Sequence, residues 1–153
     1  MTSPALADLW THTLALPARE KIVGLAWLML GTPRVDGQKR ARPIDGITGK
    51  RSTEIDCSGF VRNIFDQVFP DQGLSARDDL NSLKFRTVDL FEDTVSPLPG
   101  DIVCWDGHVG IVFDPVKGTF IGAQSSTGVM VASYTAGYWA QRVVLKFRKW
   151  KSL

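Results

Sequence analysis

Asp56-Cys57-Ser58-Gly59-Phe60, continued by Val61-Arg62-Asn63-Ile64-Phe65-Asp66-Gln67-Val68, puts a cysteine at the first turn of an amphipathic helix. Val61, Ile64 and Val68 recur at intervals of three and four, joined by Phe60 and Phe65, while Arg62, Asn63, Asp66 and Gln67 fill the other face. Asp56 is an N-cap whose carboxylate can accept from the free N–H groups of the first turn, and Gly59 leaves room for a close approach. Cys57 heads the apolar stripe, where the positive end of the helix dipole favours thiolate over thiol. A cysteine so placed is a candidate nucleophile. The competing reading is an inert buried thiol.

A thiolate nucleophile needs a base, and the chain holds two histidines, His12 and His108. His108 lies in Asp101-Ile102-Val103-Cys104-Trp105-Asp106-Gly107-His108-Val109-Gly110-Ile111-Val112-Phe113, two β-rich runs joined by Asp-Gly, a strong hairpin signal. With that dipeptide as the turn, Trp105 and His108 share one face of the hairpin, and Trp105 becomes an aromatic wall beside the imidazole. Gly110 lies on the same face without a side chain, as expected where another group comes close. Cys104 alternates with Trp105 and so points to the opposite side of the sheet, into core packing. A Cys57–Cys104 disulfide would need an oxidising compartment for which the sequence offers no sign, and closely spaced metal ligands are absent. The expectation is a free nucleophile with no metal and no organic cofactor.

The pairing of Asp-Cys-Ser-Gly-Phe with Pro-Gly-Asp-Ile-Val and then His-Val-Gly-Ile-Val resembles the NlpC/P60 family of papain-like cysteine peptidases and amidases. The resemblance runs from about residue 18 to 147. Within it, Leu30-Gly31-Thr32-Pro33-Arg34-Val35-Asp36-Gly37 is similar to the family's Leu-Gly-Thr-Pro-Tyr-Val-Trp-Gly element, and Phe120-Ile121-Gly122-Ala123 to its third strand. It implies Cys57 as nucleophile, His108 as base, and peptide bonds of bacterial cell-wall stem peptides as the target. Because Cys57 precedes His108, the order is that of the hydrolases rather than of the permuted lecithin–retinol acyltransferase-like relatives. Two positions depart from the family pattern. Arg34 stands where a tyrosine helps to bind the oxyanion, with Asp36 in place of the tryptophan. An arginine there can stabilise developing negative charge, or can simply be a solvated loop residue. The polar residue that orients the catalytic histidine falls nearest to Gly122, which cannot do so; Gln124, two residues on and on the same face, offers an amide oxygen. A bare Cys–His dyad or a backbone carbonyl are the alternatives. Ser58, Arg34 and Trp105 complete the expected oxyanion and cleft set, with the Cys57 backbone N–H as a further oxyanion donor.

The rest of the chain fits one α+β domain over residues 1–153: N-terminal helices packed on an antiparallel sheet of about five strands. Helices are expected over 3–16, stopped by Pro17, and over 18–30, with Ile22, Leu25, Ala26 and Met29 as its buried stripe. Residues 31–55 read as a long loop and a wall of the cleft. A short helix or rim segment is expected over 74–83, then strands near 101–105, 108–113, 118–124, 129–134 and 142–149. At this C-terminal end, basic Arg142, Lys146, Arg148, Lys149 and Lys151 intersperse with Val143, Leu145 and Phe147, the pattern of a half-exposed edge strand.

At 153 residues and 44% hydrophobic the chain can bury a core, and a net charge of +2 gives no reason to expect a nucleic-acid partner. The longest apolar run, Ile22 to Leu30, is too short to span a membrane. The first 16 residues carry no lysine or arginine, so no secretory signal is read. Synthesis in the cytoplasm, followed by action on the wall after delivery or lysis, is the expectation. A phage tail partner or a neutralising immunity protein would then go with it. The reading is a cysteine hydrolase of amide bonds in peptidoglycan stem peptides. Its rivals are an acyltransferase or deamidase on another substrate, and a non-catalytic module binding wall peptides or a tail protein.

Overall fold

The computed structural model describes residues 3–32 and 56–153. Helices α1 (Ser3–Leu14) and α2 (Ala18–Leu28) pack on each other, and Ile22, Leu25, Ala26 and Met29 are fully buried, as their spacing predicts. Helix α3 (Cys57–Val68) follows, with Cys57, Val61, Ile64 and Val68 all buried. One face departs from expectation. Arg62 and Asn63, assigned to solvent, are only 1% and 6% exposed. The chain after α3 folds back over them, burying Leu74 and Leu80, and Arg62 Nη1 donates to Asp78 Oδ1 at 3.0 Å and to the Arg77 carbonyl at 3.3 Å. A buried cation is tolerable when its cover brings a countercharge, and helical periodicity carries no trace of such a cover.

Residues 74–83, expected as a short helix or a rim segment, hold a 3₁₀ turn (Leu74–Ala76) and the start of a short helix α4 (Ser82–Phe85). Asn81 caps α4 by accepting from the Lys84 N–H at 2.8 Å. The sheet has six antiparallel strands rather than about five: β1 (Phe91–Thr94), β2 (Ile102–Trp105), β3 (His108–Asp114), β4 (Thr119–Gln124), β5 (Gly128–Ser133) and β6 (Lys146–Trp150), in the order β1-β6-β2-β3-β4-β5. The missed strand is β1, Phe-Glu-Asp-Thr, in which Phe91 alone is buried. Its partner β6 lies at the far end of the chain, so no local pattern marks it.

β6 is not an edge. It runs between β1 and β2, and the basic residues read as solvent-facing have structural work. Arg148 is 6% exposed and donates to the carbonyls of Phe85, Val88 and Phe91 and to the Asp93 carboxylate, each at 2.8–2.9 Å. The five donors of a guanidinium suit this tie between α4 and β1. Residues 142–145, expected in the strand, instead follow the four-residue helix α5 (Tyr138–Gln141), and Val143 takes φ +63°.

The two faces of the sheet differ. Ile102, Cys104, Val109, Ile111, Ile121 and Ala123 join α2 and α3 in the main core. Val103, Trp105, Val112 and Phe120 form a smaller aromatic cluster on the other face, against which Trp139 of α5, Tyr134, Val144 and Phe147 pack.

Candidate active site

At the start of α3, Asp56 Oδ1 accepts from the Gly59 N–H at 2.6 Å and from Ser58 Oγ at 3.3 Å. The cap read from the sequence is therefore built, and it rigidifies the turn that carries Cys57. Cys57 is 6% exposed and Ser58 2%. The Ser58 hydroxyl is directed at the cap carboxylate. Arg34 lies outside the described residues. Cys104 is fully buried on the α3 side of the sheet, and desolvation pushes its thiol up to about 12.

His108 opens β3, directly opposite Trp105, with Gly107 at φ +79° in the turn. The imidazole is 1% exposed and lies 4.2 Å from the Trp139 ring, nearly parallel at 15°, with Trp105 at 5.6 Å. The Trp105 indole N–H donates to the Trp139 carbonyl at 2.9 Å, tying the hairpin to α5. Trp105 is fully buried, so it backs the imidazole rather than lining an open cleft. Trp139 was not foreseen. Nothing in Thr135 to Arg142 has a helical or strand period, and its approach to His108 is made only when the chain after β5 crosses the sheet.

Strand alternation puts His108 on the aromatic face together with Gly110, Phe120, Gly122 and Gln124. A Cβ at Gly110 would lie 2.5 Å from Phe120 Cδ2, so the close neighbour anticipated there is the Phe120 ring. At Gly122 a Cβ would lie 3.0 Å from Phe120 Cε2, 3.2 Å from Gln124 Oε1 and 3.4 Å from His108 Nε2. The amide oxygen and the imidazole nitrogen thus converge over a bare Cα. Gln124 Nε2 donates to the Met130 carbonyl at 3.2 Å, which fixes the amide and turns Oε1 back toward Gly122, where it accepts no hydrogen bond. His108, Trp105 and Gln124 are therefore brought together. α3 packs on β3 and β4 from the other face, whose Val109, Ile111, Ile121 and Ala123 belong to the same core as Cys57.

A model of the NlpC/P60 family matches residues 46–148. The chain belongs to the NlpC/P60 family. Among solved structures, this NlpC/P60 chain is similar to NlpC2 from Trichomonas vaginalis, with a TM-score of 0.63 and 18% identity over 90% of this chain and 49% of that one. A Staphylococcus aureus protein of the NLP/P60 family, described as similar to lipoprotein, gives 0.60 and 19% over 87% and 41%. The NlpC/p60 domain of the peptidoglycan hydrolase SagA gives 0.55 and 25% over 84% of this chain and 95% of that domain. The chain spans about half the length of the first of these or less of the second, and nearly all of the SagA domain. No curated protein matches it. Among the described residues no helix is long and apolar enough to cross a membrane.

Proposed function

We propose that this NlpC/P60 chain is a cysteine hydrolase of amide bonds in peptidoglycan stem peptides, with Cys57 as nucleophile, His108 as general base and then acid, and Gln124 as the residue that positions His108. Cys57 sulfur attacks the scissile carbonyl, and the oxyanion is met by the Cys57 backbone N–H at the N-terminal end of α3. His108 hands its proton to the leaving amine as the thioester forms. It then activates a water that attacks the thioester, releasing the carboxylate product and the free thiol. The observation that carries the reading is the meeting of Gln124 Oε1 and His108 Nε2 over Gly122. A small turn of the imidazole that brought an Nε2–H onto this acceptor would set the tautomer and leave the opposite nitrogen to take the thiol proton. The bare Gly122 Cα leaves Gln124 the space to supply what its neighbour cannot. Membership of a family with a peptidoglycan hydrolase among its solved domains supports the substrate class.

Purified peptidoglycan provides the test. Wild-type protein should release peptide fragments whose new termini, read by mass spectrometry, identify the cut bond; Cys57→Ala should release none. Cys104→Ala should digest at the wild-type rate, since that thiol is fully buried in the core between α3 and the sheet and held protonated well above neutral pH. Alkylation by iodoacetamide at pH 7 should accordingly mark Cys57 and spare Cys104 in the native protein. Undiminished digestion by Cys57→Ala would refute the assigned nucleophile.

A further inference from the structure

His108 opens β3 immediately after the Asp106-Gly107 turn, with Trp105 as its cross-strand partner. An imidazole there can turn about two bonds, and a cavity of about 630 Å³ that His108 and Trp139 both line leaves room for it to do so. What lies on the ring therefore decides its setting. Trp105 and Phe120 come from the sheet itself and meet the imidazole obliquely, at 45° and 74°, with centroids 5.6 and 6.2 Å away. Trp139 comes from outside the sheet and lies within 15° of parallel, at 4.2 Å. From this packing we infer that Trp139 is a positioning residue for His108: the indole lies flat on the imidazole and fixes the plane in which its two nitrogens point. The inference deepens the hydrolase reading and rests on it for its bearing on turnover.

The indole is itself held. With four residues, α5 is too short to be stable alone, so its place is set by what it touches. The Trp105 indole N–H donates to the Trp139 carbonyl at 2.9 Å, and Arg142 Nη2, just past the helix, donates to the Asp106 carbonyl at 2.8 Å. The turn that leads into His108 and the helix that covers it are thus tied as one unit. Around the indole stand Trp105 at 4.9 Å, Tyr138 at 4.9 Å and Phe120 at 5.9 Å, and the Arg142 guanidinium lies over it at 5.4 Å. A ring packed on these sides does not yield when the imidazole tilts against it. The tilt matters because a hydrogen bond from a ring nitrogen lies in the ring plane, so losing the plane misaims both nitrogens at once, and misplacement by about 1 Å can cost a hundredfold in rate. An aromatic pair is worth up to about tenfold in the population of the set ring.

Nuclear magnetic resonance reads the ring directly, because the chain has two histidines and the other, His12 on α1, is exposed. In mildly alkaline buffer the carbon-bound imidazole protons of His108 should lie upfield of those of His12, in the ring current of the stacked indole, and its nitrogens should report one tautomer. Trp139→Leu should bring these protons toward the His12 positions and mix the tautomers, while Trp139→Phe should keep most of the wild-type pattern. Upfield shifts absent from wild type, or unchanged in Trp139→Leu, would overturn the inference. Against peptidoglycan peptides, kcat per folded molecule should fall about three- to tenfold in Trp139→Leu with KM unchanged, and Trp139→Phe should recover most of the loss. A raised KM at unaltered kcat would mean that Trp139 touches substrate instead, and a wild-type kcat in a variant whose ring is loosened would equally sink the positioning role. The two readings fail separately. A wild type that cuts no peptide refutes the hydrolase reading, and the His108 resonances still decide whether Trp139 sets the ring.

Discussion

The two faces of the sheet are built to different ends. The α3 face is aliphatic and phenylalanine-rich, covered by two helices that leave Ile22, Leu25, Phe60, Ile64 and Phe65 without solvent exposure. The opposite face carries four buried apolar residues, two glycines that admit close neighbours, a histidine and a glutamine, and its cover includes a four-residue helix and the chain after it. Burial on the first face does what burial usually does, contributing roughly 25 cal/mol for each Å² of apolar surface removed from water. On the second face buried polar atoms are held in place with an acceptor, Gln124 Oε1, left unfilled. A buried, unfilled acceptor weakens a fold by about 1–3 kcal/mol, and such departures from stable packing gather where chemistry is done. Loss of stability and loss of His108 positioning should therefore separate by face.

The largest effect is expected on the α3 face. Phe65 has its ring centroid within 5.1–6.1 Å of those of Phe69, Phe91 and Trp150, joining α3 to the end of the β1–β6 pair where Phe91 lies opposite Trp150. Phe65→Ala should lower the unfolding free energy by about 3–5 kcal/mol in urea titrations, through lost burial and the cavity left behind. Turnover of whatever folded protein remains should stay close to wild type. A stable but inactive Phe65→Ala protein would break the division between faces.

Gln124→Ala is the counterpart on the aromatic face. It should lower kcat by about ten- to a hundred-fold, roughly 1.4–2.7 kcal/mol in the barrier, if Gln124 takes the orienting role proposed for it in turnover. Its thermal midpoint should fall only slightly, since the lost Met130 hydrogen bond is offset by removing the unfilled Oε1. Full turnover in this variant, with His108→Ala inactive, would mean that a backbone acceptor or a bare dyad suffices.

The smallest effect sharpens the comparison at α5. Val143, 63% exposed, holds φ +63°, a conformation that crowds a β-branched side chain, directly after the helix that carries Trp139 and Arg142. Val143→Asn keeps the turn with less strain and should raise the unfolding free energy by about 1 kcal/mol or less. A decrease would show that the Val143 side chain has packing that its exposure hides.

The two elements that carry the proposed chemistry were legible for a local reason. An N-cap, a glycine and a three–four stripe define α3, and Asp-Gly between two β-rich runs defines the β2–β3 hairpin; each is set by contacts within about a dozen residues. That Gly122 and Gln124 share the face of His108 was also within reach, because alternation along β4 puts residues 122 and 124 on one side. What escaped was non-local. β1 is four residues whose partner lies more than fifty positions away, and Arg148 reads as a surface cation until α4 and β1 present it with three carbonyls and a carboxylate.

By itself, then, the sequence determined the α+β class, the membership that its motifs announce, the helix headed by Cys57 and the strand headed by His108. These follow from periodicity, capping and turn chemistry, which act over short stretches of chain. Only the tertiary structure decided that β6 lies inside the sheet, that Arg62 is buried beneath residues 74–80, and that Trp139 closes over the imidazole. Each of those depends on which distant segment covers which face, and a chain's local pattern fixes that a face must be covered without naming the cover.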